Sequence, residues 1–157
     1  MPHRLHVFHA LQRTHSALFR AADQFLKREV GLTATQQAVL FVLLKTDGTT
    51  ISDIADTLCM GKSSLTGLID RMAASGLVRR AHDDRDARLV RVFLLPAGQD
   101  IAQRTLVDTK AANAALLEPF NTQDQAVIAR FLDHLATNAP SFFNQPQSEK
   151  DATAKRI

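Results

Sequence analysis

The feature that most constrains this chain is a pair of short helices predicted between Ile51 and Leu77. In both halves of this stretch, apolar residues recur at intervals of three and four, which is the pattern of helices with one buried face. Cys59, Met60 and Gly61 interrupt the pattern, and glycine is common in the tight turn of a helix-turn-helix unit. The apolar positions are Ile51, Ile54, Ala55 and Leu58 in the first helix and Leu65, Leu68, Ile69 and Met72 in the second.

The other side of the second helix, which we predict over Gly61–Ser75, carries short polar side chains between two cations. Such a face suits a helix that enters the major groove of DNA, where base edges offer donors and acceptors and phosphates attract cations. It also fits an ordinary amphipathic helix with a solvated side, so this face alone leaves both interpretations open. At 100° per residue, the outward positions are Ser63, Thr66, Gly67 and Asp70, with Lys62 and Arg71 on the flanks.

The net charge of +3 is concentrated in and after this helix. Residues 60–92 contain seven Lys or Arg and four Asp or Glu, so their excess of three equals that of the whole chain. A localised basic surface is typical of proteins that bind polyanions. The single cysteine excludes an intramolecular disulfide, and neither a signal peptide nor a membrane span is recognisable. We therefore expect a soluble, cytoplasmic protein with no membrane partner.

Helices are also predicted before this unit. A regular apolar stripe predicts a long helix from Leu5 to Val30, ended by Gly31. Thr33 and Gln36 fit a capping box at the start of a second helix, Thr35–Lys45, which is apolar nearly all round and should be buried centrally.

A β-hairpin is predicted after the two-helix unit. Thr49 and Thr50 can form a short edge strand, Leu77–Ala81 a second strand and Val90–Leu94 a third. The polar tip His82–Arg88 is either a solvated turn or a wing whose arginines reach DNA.

Two more helices are predicted towards the C-terminus. Pro96 opens one that runs to about Glu118, and Asn121 or Thr122 caps another that Pro140 should end. Beyond it, residues 140–157 form a polar tail that we expect to be disordered.

No motif of an enzyme is present, so we predict no catalytic residues and no cofactor. His3, His6 and His9 share a helix face, but no cysteine or acidic ligand lies nearby in sequence, and we favour polar or interface histidines over a metal site.

The chain resembles the MarR family of bacterial transcription regulators over residues 32–101, and by helix layout over residues 5–138. The resemblance rests on a set of short matches along the chain. These are Leu32-Thr33…Gln36…Val39-Leu40, Ile54-Ala55, Lys62-Ser63-Ser64-Leu65-Thr66…Leu68-Ile69-Asp70-Arg71-Met72, Gly76-Leu77-Val78, Asp86-Ala87-Arg88, Val92…Leu94 and Pro96-Ala97-Gly98.

The resemblance implies a mainly helical winged helix-turn-helix homodimer that regulates transcription, most often as a repressor, on a pseudo-palindromic operator in double-stranded DNA. Residues 1–31 and 97–139 would form the dimerisation helices, and residues 32–96 the DNA-binding lobe. The implied DNA contacts are Lys62, Ser63, Ser64, Thr66, Gly67, Arg71, Arg85 and Arg88, and the implied dimer contacts are Phe8, Leu11, Leu18, Val127, Ile128, Phe131 and Leu135.

The resemblance also implies an ion pair between Asp70 and Arg88 that, with Asp86, braces the wing. Asp70 would otherwise repel phosphates, so a partner is expected. Leu95 replaces the threonine that usually caps the helix after the wing, and Gly67 stands where many members carry arginine.

Many relatives release DNA when a small aromatic or phenolic acid binds, and His9, Arg13 and Phe41 would lie at such a pocket; an interface network with no ligand is the alternative for these residues. His9 stands where peroxide-sensing members carry a reactive cysteine, so that sensor is missing. Cys59 is either a half-buried apolar filler or a redox-responsive thiol.

Two rivals to a DNA-binding regulator stay open at this stage. One is a winged-helix module that binds only proteins, and the other is a hydrolase or transferase with an unrecognised site.

Overall fold

The computed structural model describes residues 5–143, and over that range the chain is mainly helical with one small antiparallel sheet. The predicted fold class is therefore confirmed. The chain divides into two compact units whose boundary falls between Thr109 and Lys110, inside the fifth helix. In the described part of the chain, every helix falls short of the length and apolar character that a bilayer crossing demands. The elements in order are α1 (Val7–Val30), α2 (Ala34–Lys45), β1 (Thr49–Thr50), α3 (Ile51–Thr57), α4 (Lys62–Ala74), β2 (Val78–His82), β3 (Val90–Leu94), α5 (Pro96–Leu117) and α6 (Thr122–Phe143).

The junction between α1 and α2 is fixed by hydrogen bonds on both sides. Gly31 ends α1 with a left-handed φ of 72°, as predicted. The predicted capping box is present, since the Gln36 N–H donates to Thr33 Oγ1 at 3.2 Å and the Thr33 N–H donates to Gln36 Oε1 at 2.9 Å. The Ala34 N–H donates to Asp23 Oδ1 at 2.7 Å, a bond that the sequence pattern did not suggest. The first turn of α2 is therefore bonded directly to α1.

The hydrophobic core of the first unit surrounds α2. Val39, Leu40 and Leu43 of this helix are fully buried, which confirms its predicted central place. Each element from α3 to α5 contributes buried apolar side chains to the same core. These are Ile54 and Ala55 of α3, Leu65, Leu68, Ile69 and Met72 of α4, Val78 of β2, Val92 of β3 and Ala102 of α5.

The turn between α3 and α4 is a Schellman motif. The Met60 N–H donates to the Ala55 carbonyl at 2.9 Å, and the Cys59 N–H donates to the Asp56 carbonyl at 3.2 Å. Cys59 has a φ of 51°, in the left-handed region that glycine adopts most readily. Its side chain is exposed, which corrects the expectation of a half-buried filler. The motif places this residue just beyond the helix, where no core side chains surround it.

The sheet has the strand order β1-β3-β2, with both pairs antiparallel. Thr49 lies opposite Val92, and His82 lies opposite Val90 at the far end of the hairpin. Thr50 ends β1 and also caps α3, because its Oγ1 accepts from the Asp53 N–H at 3.1 Å. The short strand therefore joins the sheet to the first helix of the helix-turn-helix unit.

The beginning of α5 is packed against the backbone at the end of the helix-turn-helix unit. The Leu95 N–H donates to the Leu77 carbonyl at 3.0 Å. Gly98, one turn further on, is buried, and a Cβ at this position would lie 2.1 Å from the same carbonyl oxygen. Only a residue without a side chain fits there.

The last helix differs from its prediction at its end. The Asp124 N–H donates to Asn121 Oδ1 at 2.9 Å, so Asn121 caps the start as predicted. Pro140 lies inside α6, and the prediction that it ends the helix is wrong. Proline removes one backbone donor and crowds the preceding turn, but here it falls within the final described turn, where few hydrogen bonds depend on it. The predicted disordered tail lies, from residue 144 onward, outside the described residues.

The helices α1 and α6 each carry several large apolar side chains on exposed surface. α1 belongs to the first unit and α6 to the second. Large exposed apolar patches often mark sites of contact with other molecules. On α1 these side chains are Phe8, Leu11, Leu18 and Phe19, and on α6 they are Val127, Phe131, Leu132, Phe142 and Phe143, with Ile128 and Leu135 half-buried beside them.

The packing at Gly98 generates a test of the fold. We expect Gly98→Ala to lower the free energy of unfolding by about 1–3 kcal/mol or more, because the backbone of α5 must move away from the Leu77 carbonyl. Gly67→Ala is the matched control, since a Cβ at Gly67 meets its nearest neighbour at 3.6 Å, an ordinary contact. It should raise the free energy of unfolding by up to about 1 kcal/mol through helix propensity. Urea unfolding curves measure both, and equal effects at the two sites would contradict the described packing.

Candidate nucleic-acid interface

One side of α4 is buried, and this fixes which residues face outward. Leu65, Leu68, Ile69 and Met72 all lie in the core. Thr66 Oγ1 donates to the Lys62 carbonyl at 2.8 Å, so its hydroxyl proton is engaged within the helix and its lone pairs and methyl group remain available. The exposed residues of α4 include Lys62, Ser63, Ser64, Asp70 and Arg71, while Thr66 and Gly67 are half-buried.

Asp70 forms an ion pair with a wing arginine, but not with the predicted one. The Arg80 guanidinium on β2 donates to Asp70 Oδ1, and both side chains are partly exposed. The expected pair between Asp70 and Arg88 is therefore wrong. The reason is geometric: β2 leaves α4 after a short turn and packs against it, whereas Arg88 belongs to the distant tip of the hairpin. The acid still joins α4 to the wing.

The tip of the wing is organised by Asp83, which sequence analysis did not single out. Its Oδ1 accepts from the backbone N–H groups of Arg85 at 2.8 Å and Asp86 at 3.0 Å. Its Oδ2 accepts from Arg91 Nε, and Arg91 Nη1 donates to the Gly48 carbonyl at 2.8 Å. The bond to Arg91 first, and then the two backbone bonds, lower the pKa of the Asp83 carboxyl below its usual value. An aspartate that bonds to amides two and three residues ahead is a common turn former, so this signal was present in the sequence.

The other predicted brace residues act inside the tip. Asp86 Oδ1 accepts from the backbone N–H of Arg88 at 3.0 Å, rather than from the Arg88 guanidinium. His82 Nδ1 lies 2.9 Å from the carbonyl oxygen of Ala87. Asp86 therefore shapes the turn that presents the arginines and does not bridge to α4.

The basic side chains of this surface divide into two groups. Arg80 and Arg91 are held by acids, and the Arg79 guanidinium lies 4.2 Å from the centre of the Phe93 ring. Within residues 5–143, no ion pair is described for the second group, whose charges are therefore available to a polyanion. That group comprises Lys62 and Arg71 on α4 and Arg85 and Arg88 at the wing tip.

The predicted effector residues do not line a described cavity. His9 and Arg13 lie one turn apart on the exposed surface of α1, and Phe41 is half-buried in α2. A cleft of about 370 Å³ lies along the wing near Asp83 and Phe93, and one of about 410 Å³ lies beside β1 near Asp47 and Asp53. Neither cleft includes the three predicted residues.

No group of three or more potential metal ligands occurs among the described residues. His6 and His9 belong to that range, whereas His3 lies outside the described residues.

The lowered pKa of Asp83 generates a prediction about pH. Because the folded pKa lies below the unfolded value near 3.8, the Asp83 carboxylate stabilises the fold at pH values above about 4. That contribution is lost as the pH falls through the folded pKa. Asp83→Asn should therefore lower the urea midpoint most above pH 5, and the difference from the parent chain should shrink towards pH 3. Asp84→Asn, at an exposed neighbour with no described bond, is the matched control and should show no such trend. A pH-independent difference for Asp83→Asn would contradict the assigned ion pair.

Comparison with known proteins agrees with this geometry. The MarR family model matches residues 32–90, from just before α2 to the start of β3. The chain is 27% identical over 117 residues to the uncharacterized HTH-type transcriptional regulator YsmB of Bacillus subtilis (strain 168), covering 74% of this chain and 80% of YsmB. It is 28% identical over 109 residues to the HTH-type transcriptional repressor MdtR of the same organism, covering 69% of this chain and 70% of MdtR.

Among solved structures, the fold is similar to that of S. aureus MepR in its complex with DNA. The TM-score is 0.78 at 20% identity, with 86% of this chain and 99% of that chain covered. At this identity the likeness concerns the fold. Residues 32–90 therefore match the MarR family of transcriptional regulators, and the relatives and the winged helix-turn-helix architecture agree with that match.

Proposed function

We propose that this chain is a homodimeric repressor that binds a pseudo-palindromic operator in double-stranded DNA and leaves it when a small aromatic acid binds. The observation that carries the proposal is the outward face of α4, where hydroxyl groups and unpaired cations stand beside a wing tip with two more such cations. No other described surface combines these groups on one helix and one hairpin.

The DNA contacts follow from which side chains are available. α4 would enter the major groove with Ser63 and Ser64 near its N-terminal end, where recognition helices meet base edges. Lys62 would reach a phosphate, and Arg85 and Arg88 would approach the backbone beside the adjacent minor groove. Thr66 would offer its methyl group and lone pairs, because its proton is engaged with the Lys62 carbonyl. MepR, a protein of similar fold, was solved in complex with DNA, which supports DNA as the partner proposed here.

The dimer is supported by the exposed apolar residues of α1 and α6. Leaving side chains such as Leu18 and Val127 in water is unfavourable by about 25 cal/mol for each Å² of apolar surface. A second copy would cover them in an obligate interface of more than about 2,000 Å². Two-fold symmetry would then present two copies of α4 to half-sites about one helical turn apart.

Repression and its relief are proposed on separate grounds. MdtR, which matches 69% of this chain, is a transcriptional repressor. His9 and Arg13 project from the same exposed side of α1 at a spacing of one turn, so together they can hold a carboxylate or phenolate. Phe41 would supply an apolar wall for the aromatic ring.

Binding to duplex DNA at several salt concentrations tests the proposal. The parent dimer should bind with a strongly negative slope of log K against log salt, and Arg85→Ala should reduce that slope by about 2, or ~0.9 for each subunit. Arg104→Ala is the matched control, because it removes the same charge from an exposed α5 residue already paired with Asp100. The slope should then stay unchanged.

The outcomes separate the rivals. Absence of salt-dependent duplex binding by the parent chain would favour the protein-interaction module and overturn the proposed function. Equal slope changes for Arg85→Ala and Arg104→Ala would show that the wing tip does not contact DNA. Sedimentation of the parent chain as a stable monomer at micromolar concentration would contradict the dimer.

A further inference from the structure

We infer that Arg71 recognises a guanine in the major groove, rather than a phosphate, and that Gly67 holds open the space in which its guanidinium lies. This inference rests on the proposed DNA-binding function and assigns a specificity-determining role that the position of Arg71 on the flank of α4 does not suggest.

The first observation is the position of the Arg71 side chain. A Cβ built on Gly67 would lie 3.6 Å from Arg71 Nη1, so the guanidinium lies directly over the glycine. Helical side chains lean towards the N-terminus and over the residue four positions earlier, which is the direction observed here. Although Arg71 belongs to the flank of the helix, its charged end therefore reaches the middle of the outward face.

The second observation is that the guanidinium is not engaged elsewhere. Asp70, its sequence neighbour and the acid of this helix, is bonded to Arg80. Arg71 is exposed, and within residues 5–143 no acid or ring is described against it. Its five N–H donors are therefore available on the surface that would face the groove.

The third observation is the size of the surrounding groups. The outward face otherwise offers the short side chains of Ser63 and Thr66, and Gly67 adds no side chain at all. The helix can therefore approach the base pairs closely, and the guanidinium is the longest donor at its centre. Arginine donates two parallel hydrogen bonds to guanine O6 and N7, which distinguishes this base from the other three. Lys62, on the opposite flank, is left to neutralise a phosphate.

Arg71→Lys provides the sharpest test, because it keeps the charge but loses the two-pronged geometry. Duplexes would be selected from a random pool by the parent chain, and affinities then measured for the selected duplex and for its single-base variants. We expect the parent to require guanine at one position in each half-site. Arg71→Lys should lose that preference by about 5- to 150-fold per position, while its affinity for a scrambled duplex and its salt slope stay unchanged. Arg85→Lys, the matched control at the wing tip, should keep every base preference of the parent.

Substitutions at Gly67 test the second half of the inference. Gly67→Ala should preserve the guanine preference, because its Cβ only makes an ordinary contact with Arg71. Gly67→Leu should displace the guanidinium and abolish the preference at the same position. Adding Arg71→Lys to Gly67→Leu should then cause no further loss of guanine preference at that position, since both substitutions act on one contact.

Each result either supports or overturns the inference. If Arg71→Lys retains the guanine preference, or weakens binding equally on all sequences, Arg71 contacts a phosphate and the inference fails while the proposed function stands. If Gly67→Leu keeps the preference of the parent, Gly67 does not control the guanidinium. If the parent chain binds no duplex, the proposed function and the inference fail together. Unfolding curves of the variants show whether a loss reflects binding or folding.

Discussion

Burial of one side of α4 is the constraint on which the proposed interface depends. Leu65, Ile69 and Met72 are fully buried, and burial of side chains of this size contributes about 1.5–3 kcal/mol each. The helix cannot rotate about its axis without exposing them, so the residues between them are held outward. The surface offered to DNA is therefore determined by apolar periodicity in the core. The outward positions can therefore carry small polar side chains, as at Ser63, or no side chain, as at Gly67.

Acidic residues on this basic surface shape it through bonds to arginines and amides. Asp70 bonds to Arg80 and joins β2 to α4, while Asp83 bonds to Arg91 and fixes the wing tip. An exposed pair such as Asp70 with Arg80 contributes only about 0–1 kcal/mol to folding. The pair would instead act on DNA affinity, because a wing that is already held beside α4 loses less conformational entropy when DNA binds. The acids also occupy two arginines and so determine which cations remain for the polyanion.

Sequence analysis predicted the features that depend on near neighbours. The cap at Thr33, the end of α1 at Gly31 and the buried side of α4 all follow from residues within four positions of one another. The partner of Asp70 could not be predicted in this way, since the choice between Arg80 and Arg88 depends on how the hairpin packs against a helix. Gly98 is a similar case, because its requirement for glycine comes from the carbonyl of Leu77 on another element. The positions of the guanidinium of Arg71 and of the exposed Cys59 side chain likewise required the fold.

If α4 and the wing bind DNA as one preset surface, substitutions of Asp70 and Arg80 must have non-additive effects on DNA affinity. The most direct measurement is a double-mutant cycle of DNA affinity with Asp70→Arg, Arg80→Asp and the reversed pair, on a duplex selected by the parent chain. The reversed pair can form the bond again, so the double variant should bind more tightly than the summed single losses predict, by about 0.5 kcal/mol or more. The free energy of unfolding should change little across the cycle. Strictly additive losses in affinity would contradict a preset surface and show that α4 and the wing meet DNA independently.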